Sequence, residues 1–120
     1  MSDSIETTVA AHLDAWNAPA GSERDRAVAS IYTDDVFVGE PQAALTGHAG
    51  VAQAIDGLQT GVPGAALTRT GSIQVVQDLA TYTWALGPVG GTAVAAGRDV
   101  LVLRGGKISS LYVIIDGPDA

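Results

Sequence analysis

Three side chains able to move or hold a proton stand where folding would shelter them. Asp99 lies in Arg98-Asp99-Val100-Leu101-Val102-Leu103, with apolar residues alternating after it. A charge inside such a strand faces either solvent, where Arg98 can pair with it, or a cavity. Asp99 shares its face with Leu101 and Leu103. With Gly105-Gly106 as a two-residue turn, Asp99 stands opposite Tyr112 and Leu101 opposite Ser110, a mixed face that suits a pocket lining. Glu40 ends a short run, Val36-Phe37-Val38-Gly39-Glu40, on the face of Val36 and Val38. It is either a solvated strand-end acid or a carboxylate able to take a proton α to a carbonyl. His12 sits in an apolar helical stripe one turn before Trp16. There an imidazole either packs as a satisfied core residue or donates a hydrogen bond and shuttles a proton, its unperturbed pKa being about 6.5.

Tyr82 and Trp84 fall on one bulky strand face with Ala80 and Leu86, as core or as cavity wall. Asp116 follows on the face of Tyr112 and Ile114. Asp34-Asp35 read as a helix end and turn, and His48 as a surface residue. The two histidines are far apart and form no His-x-x-His pattern, so no metal site is expected. No phosphate-cradling glycine motif and no Gly-x-Ser-x-Gly elbow occurs.

The elements that must position these groups follow from periodicity. Asp3 or Ser4 can cap a first helix whose Ile5, Val9, His12, Leu13 and Trp16 share one face. Asn17-Ala-Pro-Ala-Gly stops it. Ser22 and Asp25 resemble a capping box opening a second helix through Ile31 and Tyr32. A short strand, a loop over 41–47 and a third helix carrying Val51, Ile55 and Leu58 come next. From Leu67 the period becomes two, over runs 67–76, 79–86, 92–103 and 108–116. Helices first and strands after predict an α+β fold.

The chain is 120 residues long, enough for a single domain over 1–120. Thirteen acids against six bases, only one of them lysine, give a net charge of −7 and no electrostatic reason to bind nucleic acid or an anionic membrane. The absence of cysteine removes disulfides, thiolate metal sites and cysteine nucleophiles. The polar, acidic start is unlike a signal peptide, and no apolar run approaches the roughly 18 residues of a membrane span. A cytoplasmic protein is expected. Plentiful Ala, Gly, Val and Arg hint at a GC-rich bacterial source.

The order helix, helix, short strand, helix, four-strand meander resembles the nuclear transport factor 2-like fold, shared by SnoaL-like and ketosteroid-isomerase-like enzymes. Tyr32-Thr33-Asp34-Asp35, running into Val36-Phe37-Val38, is similar to that superfamily's hallmark segment before the first strand. Leu45-Thr46-Gly47-His48-Ala49-Gly50-Val51 resembles its entry to the third helix, and Gly106-Lys107-Ile108 its turn before the last strand. The resemblance covers residues 5–116. It implies a cone-shaped curved antiparallel sheet, an α+β barrel, with three N-terminal helices closing a pocket.

By that resemblance Asp99 occupies the place of the aspartic acid that donates to the substrate oxyanion in ketosteroid isomerase, an acid held neutral by its apolar site. Glu40 occupies the place of the catalytic base, an aspartate before proline in those enzymes. His12 replaces the tyrosine that completes their oxyanion hole. Trp16, Tyr82, Trp84, Tyr112 and Asp116 would line the cavity. The epoxide hydrolases of the fold use an Arg-x-Asp pair and a second aspartate. Arg98 and Asp99 are adjacent instead, and Val113 stands in the second acid's place.

Two functions are therefore expected. One is a cofactor-independent enzyme acting on a small apolar carbonyl compound by enolate chemistry, as an isomerase or a polyketide cyclase. The other is a non-catalytic binding or scaffold protein of the same fold. A homodimer through the outer face of the sheet is expected from the family. Val100, Val102, Leu111, Val113 and Ile115, read as lying opposite Asp99, add an apolar second face in need of cover.

Overall fold

The computed structural model describes residues 2–116, with side chains from residue 5 onward. Three helices, α1 (Ser2–Asn17), α2 (Ser22–Ile31) and α3 (Gly47–Gly61), lie with a seven-stranded sheet. Its strands are β1 (Tyr32–Glu40), β2 (Ala43–Thr46), β3 (Ala65–Arg69), β4 (Gln74–Val76), β5 (Leu79–Pro88), β6 (Ala95–Arg104) and β7 (Lys107–Ile115). The side chains of Asp3 and Ser4, the expected caps of α1, lie outside the described residues.

Helix α1 buries Val9, His12, Leu13 and Trp16, the expected stripe. Its C-terminal end is held by long polar side chains. The Gln59 amide donates to the carbonyls of Trp16 at 3.0 Å and Ala18 at 2.8 Å. Arg24, buried on α2, donates to the same Ala18 carbonyl at 3.2 Å and to Asp56 on α3 at 2.5 Å. Orphan carbonyls at a helix end thus gain partners, and the position of His12 and Trp16 is fixed with them. Asn17 exchanges two hydrogen bonds with the Leu67 backbone, at 3.0 and 2.8 Å, and so occupies part of the open edge of β3. The expected capping box on α2 does not form. Ser22 is already helical, Gly21 is the N-cap, and no side chain caps it. The Gly21 carbonyl instead takes the Asp25 N–H at 3.0 Å.

The strand order is β2-β1-β7-β6-β5-β3, with β4 pairing the other half of β5. The sheet is curved and unclosed, and it is mixed: β1 runs parallel to β7, while every other pairing is antiparallel. The expected all-antiparallel barrel is corrected on this point. Parallel pairing needs a long crossover, and β1 joins β7 from across most of the chain. The expected loop over 41–47 is in fact strand β2, which pairs back on β1 from Phe37↔Thr46 to Glu40↔Ala43. The run 67–76 is two strands, broken around Gly71.

Gly105 and Gly106 have φ of 61° and 83°, the pair of positive values that a type I′ hairpin requires. The expected two-residue turn is present, with Arg104↔Lys107 and Leu103↔Ile108 paired across it. Beyond them the register shifts by one: Val102 pairs with Ser110, leaving Ser109 as the extra residue of a bulge. Ser109 Oγ donates to the Val102 carbonyl at 3.0 Å. Leu101 therefore faces Leu111, and Asp99 faces Val113, not Tyr112.

Candidate functional site

The bulge at Ser109 decides which side chains of β7 meet Asp99. Leu111, Val113 and Ile115 line the interior with it. Tyr112 turns to the outer face, where it is 44% exposed and its ring lies 5.6 Å from that of Phe37. Its expected place in the pocket is corrected, and so is the expected outward placement of Leu111, Val113 and Ile115. Asp116 follows the end of β7 and is exposed, so it does not line the pocket either. A one-residue slip exchanges the two faces of a strand, which is what separates expectation from structure here.

A cavity of about 230 Å³ lies between the helices and the inner face of the sheet. Trp16 from α1, Leu58 from α3 and Trp84 from β5 form part of its apolar wall. Two ionisable residues line it, Glu40 and Asp99. They belong to one row across the sheet. Gly39 pairs with Tyr112, so Glu40 lies beside Val113; Val113 pairs with Asp99, and Asp99 with Tyr82. Two strand spacings put the Glu40 and Asp99 backbones about 10 Å apart, with both side chains on the inner face. Trp84 rests over Gly97 in the next row; a Cβ there would stand 2.6 Å from its Cζ2. The Trp84 indole N–H is buried and has no hydrogen-bond partner among the described residues.

Asp99 is buried and held from behind. Its Oδ2 accepts a hydrogen bond from Tyr82 Oη at 2.7 Å and lies 3.1 Å from His12 Nε2. On the far side of the imidazole, His12 Nδ1 meets Tyr32 Oη, which also accepts from Trp16 Nε1 at 3.0 Å. Burial, first, and the Asp99 carboxyl group beside it push the Tyr82 phenol far above its usual range. Burial also dominates at Tyr32 and pushes its phenol up. Both phenols therefore keep their protons. With its oxygen already accepting from Trp16, Tyr32 has one hydrogen to give, and His12 Nδ1 is there to take it. In that tautomer the imidazole carries its proton on Nε2, aimed at Asp99. Oδ2 then accepts from two donors, Tyr82 Oη and His12 Nε2.

The structure brings Glu40, Asp99, Trp16 and Trp84 to the cavity wall; His12 and Tyr82 sit behind Asp99 and do not line it, which corrects their expected place in the pocket. Arg98 does not pair with the Asp99 carboxylate; it donates to Thr81 Oγ1 at 3.0 Å. Burial raises the pKa of Glu40 above the usual carboxylate range. Tyr32 is the residue that the sequence analysis missed. It reads as the end of α2, and only its β-branched and aromatic surroundings signal a strand start. Among the described residues no group of three or more His, Asp or Glu gathers to hold a metal ion. No described helix is long and apolar enough to cross a membrane.

Residues 9–111 match the family model of the SnoaL-like domain, and the chain belongs to that family. Solved structures share the fold. A candidate isomerase of the SnoaL-like family from Agrobacterium tumefaciens str. C58 is 24% identical, with 98% of this chain and 100% of that one covered and a TM-score of 0.87. A candidate SnoaL-like polyketide cyclase from Jannaschia sp. CCS1 is 16% identical, covering 96% and 86%, with a TM-score of 0.77. A candidate ketosteroid isomerase from Kribbella flavida is 18% identical, covering 96% and 79%, with a TM-score of 0.70. No functionally curated protein matches the sequence.

Proposed function

We propose that this SnoaL-like protein is a cofactor-independent enzyme that moves a proton on a small, largely apolar carbonyl compound. The observation that carries the reading is the pairing of two carboxyl groups in one apolar cavity, with Asp99 braced by Tyr82 and His12 and Glu40 left without such a brace. Glu40 is the base. It removes a C–H proton α to the carbonyl, and the C–H electron pair moves into the enolate. Asp99 donates from Oδ1 to the oxygen where charge develops, its other oxygen being anchored. Return of the proton to another carbon completes a double-bond isomerisation; the Agrobacterium protein is named as an isomerase and the Kribbella protein as a ketosteroid isomerase. Attack of the same enolate on a second carbonyl is the cyclase variant, the activity in the name of the Jannaschia protein. His12 is a positioning residue: it touches Asp99, not the substrate.

The test uses 3-cyclohexenone, whose conjugation to 2-cyclohexenone is followed by ultraviolet absorbance. Turnover by the wild type is expected, with Glu40→Gln lowering kcat/KM by about 10²–10⁴-fold and Asp99→Asn by about 10²–10³-fold. Both tryptophans line the cavity, so a 4-nitrophenol titration followed by intrinsic fluorescence reports binding there. Saturable binding of the phenol without turnover would favour a non-catalytic binding protein. Absence of both would overturn the reading.

We also propose that the outer face of the sheet carries a second copy of the chain. Phe37, Tyr112 and Ile114 form an apolar patch there, with Tyr112 and Ile114 close to half exposed.

A further inference from the structure

Glu40 borders a second space besides the inner cavity. A groove of about 520 Å³ lies outside it, between the β1–β2 hairpin and α3. Glu40, Leu58 and Ile115 line both spaces, so they form the waist between them. The inner chamber is apolar except for its two acids, whereas the groove adds the exposed amides of Gln42 and Gln53. At about 230 Å³ the inner chamber is smaller than the roughly 300–1,000 Å³ of ordinary small-molecule sites, and with the groove it enters that range.

We infer that the site takes an elongated ligand in two chambers: an apolar ring head inside, its oxygen at Asp99, and a neutral, hydrogen-bonding tail that passes Glu40 into the groove beside Gln42 and Gln53. The inference rests on the proposed function and narrows its substrate class. Three observations support it. The three shared wall residues put the groove next to the chamber, so it is the space nearest to a ligand longer than the chamber. The tail is neutral because Glu40 stands at the waist of a chain with net charge −7, and a carboxylate or phosphate tail would meet repulsion there. The tail is polar at its end because two side-chain amides, each both donor and acceptor, are the polar groups the groove adds. The waist also sets the chemistry's location. The carbon that Glu40 reaches lies in the middle of the molecule, between the oxygen at Asp99 and the tail, and not at a terminus.

Two substitutions fill the groove from opposite walls. Gly57 on α3 lines it, and a Cβ there meets nothing within 4 Å, so Gly57→Leu enters free space at a helical position. Ala43 on β2 is exposed and lines the other wall, so Ala43→Trp is the second variant. Calorimetric titration compares 2-naphthol, the same naphthol with a five-atom tail ending in a hydroxyl, and its counterpart ending in a carboxylate. For the wild type the hydroxyl tail is expected to tighten binding about tenfold over 2-naphthol. The carboxylate tail is expected to bind more weakly than the hydroxyl tail. Either filling variant should remove the tail's gain and leave 2-naphthol affinity unchanged, which also shows that the variant is folded. Equal affinity of 2-naphthol and the hydroxyl-tailed probe for the wild type overturns the two-chamber inference and leaves the proposed function standing. So does a tail gain that survives both variants. Failure of all three probes to bind overturns both readings.

Discussion

Asp99 is the residue on which the assembly depends, and its two oxygens have different duties. Oδ2 satisfies two buried donors, Tyr82 Oη and His12 Nε2. Asp99→Asn keeps that role, because its amide oxygen can face both donors while its NH2 group turns to the cavity. Its stability is expected within about 1 kcal/mol of the wild type, while turnover falls by about 10²–10³-fold because an amide is a weaker donor than a carboxylic acid. Asp99→Leu leaves both donors buried without an acceptor and is expected to cost about 2–5 kcal/mol in urea denaturation. Glu40 gives the opposite sign. Its folded pKa lies above its unfolded one because burial disfavours the charge. The folded state then holds the proton more tightly, so stability falls as pH rises through that window. Glu40→Gln should therefore melt higher than the wild type at pH 8 and show no such gain at pH 3. The gain stays below about 1 kcal/mol, since the half-buried group keeps much of its water. The same shift predicts that the acid limb of the wild-type pH–rate profile falls above the usual carboxylate range. A limb at the value of a fully solvated glutamate would remove Glu40 from the role of base.

At the scale of elements, the bulge at Ser109 aims the site. Without it, Tyr112 and Ile114 would face inward and Leu111, Val113 and Ile115 outward. Deleting Ser109 is expected to abolish folding, judged by loss of near-ultraviolet circular dichroism. Ser109→Ala, which removes only the bond to the Val102 carbonyl, should cost about 1 kcal/mol. A stable, folded deletion variant would show that the bulge is not what orients β7. The elements themselves were largely legible. The helical stripe of α1, the period-two strands and the Gly105-Gly106 turn are local signals, and the family resemblance supplied the curved sheet. What was not legible is non-local. Nothing near Ser109 announces a bulge, which suits a strand that must match β6 on one side and β1 on the other. The parallel β1–β7 pairing joins distant segments. Strand β2, Ala-Ala-Leu-Thr, is an edge strand with mostly exposed residues and no alternation to read. Glu40, Asp99 and His12 were legible as types and faces. Their junction was not, because His12 and Asp99 are 87 positions apart and Tyr32, which orients the imidazole, looked like the end of a helix.

At the scale of the whole molecule, the sheet has one face filled by helices and cavity and another with no cover among the described residues. The bulge changes which residues make the outer face, yet the face remains apolar: Phe37, Tyr112 and Ile114 replace the outward Leu111, Val113 and Ile115 of the sequence reading. A sheet apolar on both sides needs burial on both. In the proposed dimer a second copy would meet that need by a two-fold contact of the same patch with itself. Two chains of charge −7 repel, so the contact must be driven by apolar area, and screening should strengthen it. Sedimentation is therefore expected to show a dimer that tightens from low to high salt. Tyr112→Asp or Ile114→Asp should give a monomer by placing a charge at the centre of the contact. Because both side chains point away from the cavity, 4-nitrophenol affinity should stay within about twofold in a monomer that keeps its fold. A wild type that sediments as a monomer at high salt would leave this face without a partner of its own kind. A monomeric variant that loses phenol binding would mean that the dimer, not the single sheet, shapes the site.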